Sequence, residues 1–377
     1  MSELYNLPDG WVWKKLGDLT TTTSGGTPKR NEKLYWGGNI GWLKSGELND
    51  GYITNVEEYI TDEGLTKSSA KLFPKGTLLI AMYGATVGKL GILEIETTTN
   101  QAICGILNDK NKFETLFMFY YLKKIREKMI EDSFGGAQPN LSQTYIKDLD
   151  IPLPPLEEQK RIVVNLDNLF AKIDKAIALH QKNIDEADIF MASVLNDVFV
   201  KLEEKYEKKV WNEILTIKNG KHYKDVIDEN GKYPIYGSGG IMNYANNYIC
   251  NEDTVIIGRK GTINSPIFVK EKFWNIDTAF GIEANRNFLI PIFLFYFTKY
   301  FNFLDLNKST TLPSLAKTHL LQINMVVPPL PTQQKVVSYL DEISEKMEKI
   351  KNLQKDKMQS LKELKASILD KAFKGEL

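Results

Sequence analysis

One proline-led stretch occurs twice in this chain. Pro154-Pro155-Leu156-Glu157-Glu158-Gln159 returns as Pro328-Pro329-Leu330-Pro331-Thr332-Gln333, shifted by 174 residues. The shift holds on both sides. Pro139, Leu141 and Thr144 fall on Pro313, Leu315 and Thr318, and Val163, Leu166, Asp167 and Lys172 fall on Val337, Leu340, Asp341 and Lys346. Ala192-Ser193-Val194-Leu195 falls on Ala366-Ser367-Ile368-Leu369, and Phe199 on Phe373. A period this long is no solenoid; it means two copies of one unit. Each copy is a globular part followed by a long helix.

The helix is legible from its start. Pro155 suits the first turn, where a missing N–H costs nothing, and Glu157 and Glu158 face the positive end of the helix dipole. After Leu156 in the first turn, apolar residues recur mostly in steps of three and four: Ile162, Leu166, Leu169, Ile173, Ile177, Ile184, Ala187, Met191, Val194 and Val198. The second series is Val336, Leu340, Ile343, Met347, Ile350, Met358, Leu361 and Ile368, interrupted by polar Gln354. Such a narrow seam needs a partner helix, and the other copy is the natural one. An approximate two-fold relation between the copies makes the pair antiparallel, a spacer holding two globular parts apart.

Upstream of each helix the patterning is mixed. Thr77-Leu78-Leu79-Ile80-Ala81-Met82-Tyr83-Gly84 reads as a short buried strand ending in a glycine turn, with Thr254-Val255-Ile256-Ile257-Gly258 as its counterpart. Asn100-Gln101-Ala102-Ile103 matches Asp277-Thr278-Ala279-Phe280. Phe119-Tyr120-Tyr121 and Phe295-Tyr296-Phe297 lie in apolar helical runs and read as core. Gly25 and Gly220 stand 195 residues apart, as do Asp18 and Glu213. The second globular part is therefore 21 residues shorter, a loss expected in loops. The fold class is α+β: two globular mixed α/β domains separated by two long antiparallel coiled-coil helices, with a pseudo-two-fold internal repeat. The expected boundaries are 1–153 and 204–327 for the domains, and 154–203 and 328–377 for the helical spacers.

Catalytic chemistry is hard to find. Gly84-Ala85-Thr86-Val87-Gly88-Lys89-Leu90 is one residue short of a phosphate loop and lacks the closing Ser or Thr. Asp148, Asp150 and Glu158-Gln159-Lys160 echo a metal-dependent nuclease, but the Glu158-Gln159-Lys160 part becomes Thr332-Gln333-Gln334 in the second copy. His180, His222 and His319 are scattered without zinc spacing, and His180 reads as a solvated helix residue. No Asn-Pro-Pro-Tyr motif and no glycine-rich nucleotide fingerprint is present. No catalytic residue, metal ligand or cofactor site is expected on this chain. Cys104 and Cys250 do not correspond under the repeat and read as buried free thiols of a reducing cytoplasm. No run approaches the length of a membrane span, and the N-terminus lacks a signal peptide's apolar stretch.

The remaining chemistry lies in loops that mix basic, amide, hydroxyl and aromatic groups. Net charge is zero, with 48 basic and 48 acidic residues, so any phosphate-binding surface must be local. In the first half the candidates are Lys29, Arg30, Lys44, Tyr83, Thr86, Lys89, Gln138 and Asn140. In the second they are Lys221, Tyr236, Ser238, Arg259, Lys260, Thr262 and Lys308. Arg and Lys can read guanine edges, Asn and Gln can read adenine, and glycine lets backbone approach phosphate. The alternative for any one loop is an ordinary turn, which favours the same residues for backbone reasons.

The whole chain resembles the DNA-specificity subunit of Type I restriction–modification enzymes. The resemblance rests on Leu7-Pro8-Asp9-Gly10-Trp11, Ser24-Gly25-Gly26-Thr27-Pro28, Ala81-Met82-Tyr83-Gly84-Ala85-Thr86-Val87-Gly88 and Asn140-Leu141-Ser142. Above all it rests on Ile151-Pro152-Leu153 leading into the twice-used helix start, from which Pro331-Thr332 departs in the second copy. The resemblance implies two target-recognition domains, each reading half of a split sequence in double-stranded DNA. It implies helices that set the spacing and dock two modification (methyltransferase) subunits carrying S-adenosylmethionine. Restriction and motor subunits using ATP and Mg2+ would complete the enzyme, in the cytoplasm. Two other classes stay open: a coiled-coil protein scaffold that binds no DNA, and a stand-alone DNA-modifying enzyme, which the missing motifs disfavour.

Overall fold

The computed structural model describes residues 5–133, 140–307 and 313–377. The chain forms two compact units: Met1–Ala178 with Met358–Leu377, and Leu179–Lys357.

In chain order the first globular part comprises β1 (Val12–Lys15), α1 (Leu16–Leu19), β2 (Thr21–Ser24), β3 (Trp36–Leu43), β4 (Gly51–Ile53), β5 (Glu58–Ile60), α2 (Asp62–Thr66) and β6 (Leu72–Phe73). It continues with β7 (Leu78–Ala81), β8 (Leu90–Leu93), β9 (Thr97–Thr99), β10 (Ile103–Leu107), α3 (Thr115–Lys124), α4 (Arg126–Glu131), α5 (Gln143–Lys147) and β11 (Asp150–Leu153). The long helix α6 (Leu156–Glu203) follows. The second part has β12 (Lys208–Val210), α7 (Trp211–Ile214), β13 (Leu215–Asn219), β14 (Tyr233–Gly237), β15 (Gly240–Ala245), β16 (Thr254–Gly258), β17 (Ile267–Val269), β18 (Trp274–Asn275) and β19 (Ala279–Ala284). Then come α8 (Pro291–Tyr300), α9 (Lys317–Leu320), β20 (Asn324–Val326) and the second long helix α10 (Leu330–Ala372).

The two globular parts share one plan. Strand order β2-β10-β7-β8 in the first matches β13-β19-β16-β17 in the second. The sheet β5-β3-β9 matches β15-β14-β18, down to the parallel pairing of β3 with β9 and of β14 with β18. β7 and β16 are buried at every residue. They sit centrally and are covered on both faces, so they read as continuous apolar runs rather than alternating ones. The extra length of the first part is not bare loop. Leu43 to Leu78 encloses β4, β5, α2 and β6, where the second part passes from Gly237 to Thr254 through β15, the counterpart of β5, alone. The insertion adds edge strands, which a sheet accepts without disturbing its centre.

Both long helices contribute to the core of each unit. In the first unit Ile162 and Leu166 of α6 are buried with Phe117, Leu369, Ala372 and Phe373. There the helices run antiparallel, since Asp174 pairs with Lys365 at 2.7 Å while Arg161 donates to the Leu377 carbonyl at 2.7 Å. In the second unit Leu195 and Phe199 of α6 are buried with Phe293, Phe297, Val337 and Leu340. His180 Nδ1 donates to Gln354 Oε1 at 2.5 Å, and Lys351 pairs with Asp188 at 2.9 Å, again an antiparallel arrangement. His180 is half-buried and hydrogen-bonded, where the sequence predicts a solvated side chain, because its partner is the polar residue that interrupts the other seam. Of the seam residues, Ile173 is buried, while Leu169, Met191, Val336, Ile343, Met347, Leu361 and Ile368 are half-buried. Leu156, in the first turn of α6, is exposed. Among the described residues no helix is long and apolar enough to cross a membrane.

Candidate functional site

Backbone approach builds the working edge of the second unit. A Cβ on Gly220 would lie 1.7 Å from the Ile276 carbonyl oxygen, so only glycine lets β13 pass so close to the turn after β18. Lys221, next along, donates its N–H to the Asn275 carbonyl at 2.9 Å and leaves its side chain exposed. Ile276 N–H donates to the Tyr236 carbonyl at 3.1 Å, which places the β14 end beside the same turn. Tyr236 is half-buried with its ring 5.4 Å from Phe273; burial, then the nearby Glu271, raises its hydroxyl pKa. Ser238 sits against Gly258, whose added Cβ would meet the Ser238 Cβ at 3.1 Å.

The turn after β16 is pinned from two sides. Arg259 N–H donates to the Thr278 carbonyl at 2.8 Å, and its own carbonyl accepts from Leu315 N–H at 2.9 Å. Gly261, at φ +77°, donates to the Pro313 carbonyl at 2.9 Å. Arg259, Lys260 and Thr262 are all exposed, and Arg259 and Lys260 line a shallow cleft with Ser314 and His319. Of the residues picked from the sequence, Lys221, Tyr236, Ser238, Arg259, Lys260 and Thr262 thus lie along one connected rim. Lys308 lies outside the described residues.

The first unit carries the same scaffold with other side chains. Gly25 passes Thr99 so closely that a Cβ would lie 2.3 Å from the Thr99 carbonyl oxygen, and Gly26 N–H donates to that oxygen at 2.9 Å. Leu141 N–H donates to the Met82 carbonyl at 2.8 Å, as Leu315 does to Arg259, and Tyr83 bridges Asn140 as Lys260 bridges Ser314. The glycine turn is held from behind. Arg126 donates Nε to the Gly88 carbonyl at 2.9 Å and its two terminal nitrogens to Asp50. Burial opposes ionisation of Asp50, but the Arg126 hydrogen bonds, the Leu90 N–H and the Arg126 and Lys123 charges together hold its carboxyl below the usual range. Tyr83 and Lys89 are exposed and Thr86 half-exposed. Gln138 lies outside the described residues.

Arg30 and Lys44 are placed differently. Arg30 pairs with Glu58 and lays its guanidinium over Trp36 at 3.9 Å and Trp42 at 4.4 Å. Lys44 pairs with Glu57 at 2.8 Å and Glu58 at 3.2 Å, bonds that raise its pKa. Trp42 Nε1 donates to the Gly26 carbonyl at 2.9 Å, and Trp36 Nε1 to that of Lys29, whose side chain is exposed. These cations are committed to carboxylates, whereas Lys89, Lys221, Arg259 and Lys260 make no ion pair among the described residues. Free cations are the ones able to neutralise phosphate.

Some residues on these edges escape sequence reasoning. Gln101 is exposed and accepts a hydrogen bond from Thr27 between the Gly25 and Tyr83 loops. Asn100 and Asn275, under Gly25 and Gly220 respectively, each keep a buried Oδ1 without a hydrogen-bond partner among the described residues. The alignment of Asn100-Gln101-Ala102 with Asp277-Thr278-Ala279 is the signal that could have found Asn100 and Gln101, while Asn275 lies two residues outside it. Cys104 and Cys250 are buried free thiols, and burial pushes both up to about 12. Among the described residues no group of three His, Cys, Asp or Glu side chains could hold a metal ion.

Known proteins share this plan. The MjaIX specificity subunit of a Type I restriction enzyme from Methanocaldococcus jannaschii is 27% identical over 419 aligned positions, covering 100% of this chain and 95% of its own. The EcoR124I/EcoR124II specificity subunit from Escherichia coli is 26% identical over 44% of this chain and 42% of its own. A solved chain from work on complex assembly and conformational transition of the type I R-M system superposes with a TM-score of 0.80 at 22% identity, covering 99% of this chain and 100% of that one. The HsdS subunit from Thermoanaerobacter tengcongensis gives 0.54 at 21% identity over 99% of each. The family described as the Type I restriction modification DNA specificity domain matches residues 8–186 and again 203–357. By that double match the chain belongs to this family, and its part is that of a specificity subunit, which recognises rather than catalyses.

Proposed function

We propose that each globular part reads one half of a split target in double-stranded DNA and that the two long helices fix the gap between the halves. The observation that carries this is a shared scaffold with exchanged side chains. The bridge that holds Tyr83 against Asn140 in one unit holds Lys260 against Ser314 in the other, and where the first has buried Met82 the second has exposed Arg259. A common frame with different exposed groups is what two half-sites of different sequence require. On this reading Arg259, Lys260, Lys221 and Ser238 face one half-site. Tyr83, Thr86, Lys89, Asn140 and Gln101 face the other. The exposed flanks of the helices dock two modification subunits, which bring S-adenosylmethionine, and restriction or motor subunits bring ATP and Mg2+. The complex works in the cytoplasm.

Footprinting of the chain reconstituted with its modification subunits tests the proposal. Two protected segments with an unprotected gap, weakening as salt rises, support it. One continuous segment contradicts it. Absent or salt-insensitive binding selects instead a protein scaffold, the reading that the zero net charge and the acid-paired Arg30 and Lys44 favour.

A further inference from the structure

We infer that a repeated three-point mount at each junction of globular part and helix sets the angle of that part, and through it the gap between half-sites that the protein accepts. In the first unit Gln159 is fully buried. Its Oε1 accepts the Glu114 N–H at 2.8 Å, at the start of α3, and its Nε2 donates to the Pro154 carbonyl at 2.8 Å. Eight residues on, Asp167 accepts the Tyr120 hydroxyl from the middle of α3. The third point comes from the end of the other long helix: Phe373, one residue past α10, packs on Phe117 at 5.0 Å and Tyr121 at 5.1 Å.

The second unit repeats all three. Gln333, also fully buried, accepts the Ile290 N–H at 2.9 Å and donates to the Pro328 carbonyl at 2.8 Å. Asp341 accepts the Tyr296 hydroxyl at 2.6 Å. Phe199 of α6 packs on Phe293 at 5.5 Å and Phe297 at 5.6 Å.

The choice of groups matters. A leucine in place of each glutamine could fill the space and hold the parts together, but apolar contact is non-directional and tolerates tilt. Hydrogen bonds weaken steeply off line. Two of them about 12 Å apart along α6, plus an aromatic contact from a different helix, fix a direction rather than only a distance. A buried glutamine is costly unless both ends are satisfied, so any tilt that breaks one bond is opposed. If the long helices set the length of the spacer, as proposed above, these side chains set how each reading edge points from its end.

The test rests on that reading and separates the two ideas. The full chain, assembled with its modification subunits, is assayed for methylation of duplexes carrying its target with the natural gap and with gaps one base pair longer or shorter. The substitutions are Tyr120→Phe, Tyr296→Phe and both together, which remove only a hydroxyl and leave an exposed carboxylate behind. The expected result is natural-gap methylation within about twofold of wild type, with discrimination against the altered gaps reduced at least tenfold. Wild-type discrimination in the double variant overturns the mount. So does an equal loss at all three gaps, since that is the signature of a merely structural bond. A wild-type chain that shows no gap dependence at all removes the underlying two-part reading instead. Gln159→Leu is the stronger perturbation, with thermal unfolding of the same sample to separate tilt from loss of fold.

Discussion

Truncating Phe373 to alanine should cost the first unit most of a small domain's margin. The side chain is fully buried one position past the end of α10, with Leu369 and Ala372 buried beside it. Phe→Ala in a packed core costs about 3–5 kcal/mol through lost burial and residual cavity. The two ring contacts at 5.0 and 5.1 Å add directional energy, about 0.5–1.5 kcal/mol each, part of which that range already contains. Collapse is hindered, because the Phe373 carbonyl is held by the Tyr5 hydroxyl at 2.6 Å. The expectation is therefore the upper half of the range, about 4–5 kcal/mol. Urea titration followed by hydrogen exchange in β7 and β10 peptides measures it, with β16 and β19 peptides as the second-unit control. Phe199→Ala should give the reverse pattern. A loss below about 1 kcal/mol, the size of a surface change, would refute the packing argument.

Three further outcomes follow from the same geometry. Arg259→Ala should weaken specific DNA binding by about 1–3 kcal/mol and relax one half-site if the guanidinium reads a base, while Lys260→Ala should lower the salt slope by about one; unchanged affinity and slope remove both from the interface. Gly220→Ala forces a Cβ to 1.7 Å from a carbonyl oxygen, so the second unit should lose at least the about 1–3 kcal/mol of an overpacked site, seen as faster hydrogen exchange in 211–326 and not in 12–153. Asp50 has its folded pKa depressed, so its stabilising share is complete above the ordinary carboxylate value of about 3.9 and is lost as pH falls through the depressed one. Asp50→Asn should therefore flatten the acid limb of the first unit's unfolding curve, and an unaltered limb would show that Arg126 does not depend on that charge.

The parts of this protein legible in its sequence are those governed by local rules. The proline-led helix starts announce themselves because Pro, Glu and a following apolar series are all read within a few residues. β7 and β16 are equally plain as unbroken apolar runs. Gly25 and Gly220 could be matched, but not what they approach, since Thr99 and Ile276 reach them only through the sheet. The Arg30–Glu58–Lys44 network was invisible for the same reason: its members span 29 residues and meet only because β3, flanked by Arg30 and Lys44, pairs with β5, which Glu58 opens. The paired tyrosines 120 and 296 stand 176 residues apart while their aspartates stand 174 apart, so a single-shift comparison aligns one partner and misses the other.

Two similar parts, on the function proposed above, each read their own half of one target. The most direct measurement is the methylated-adenine motif of cells carrying this chain, before and after residues 204–327 are exchanged for the equivalent segment of another specificity subunit. One half of the motif should change while the other half and the gap stay as they were. A motif altered in both halves, or in neither, would contradict it.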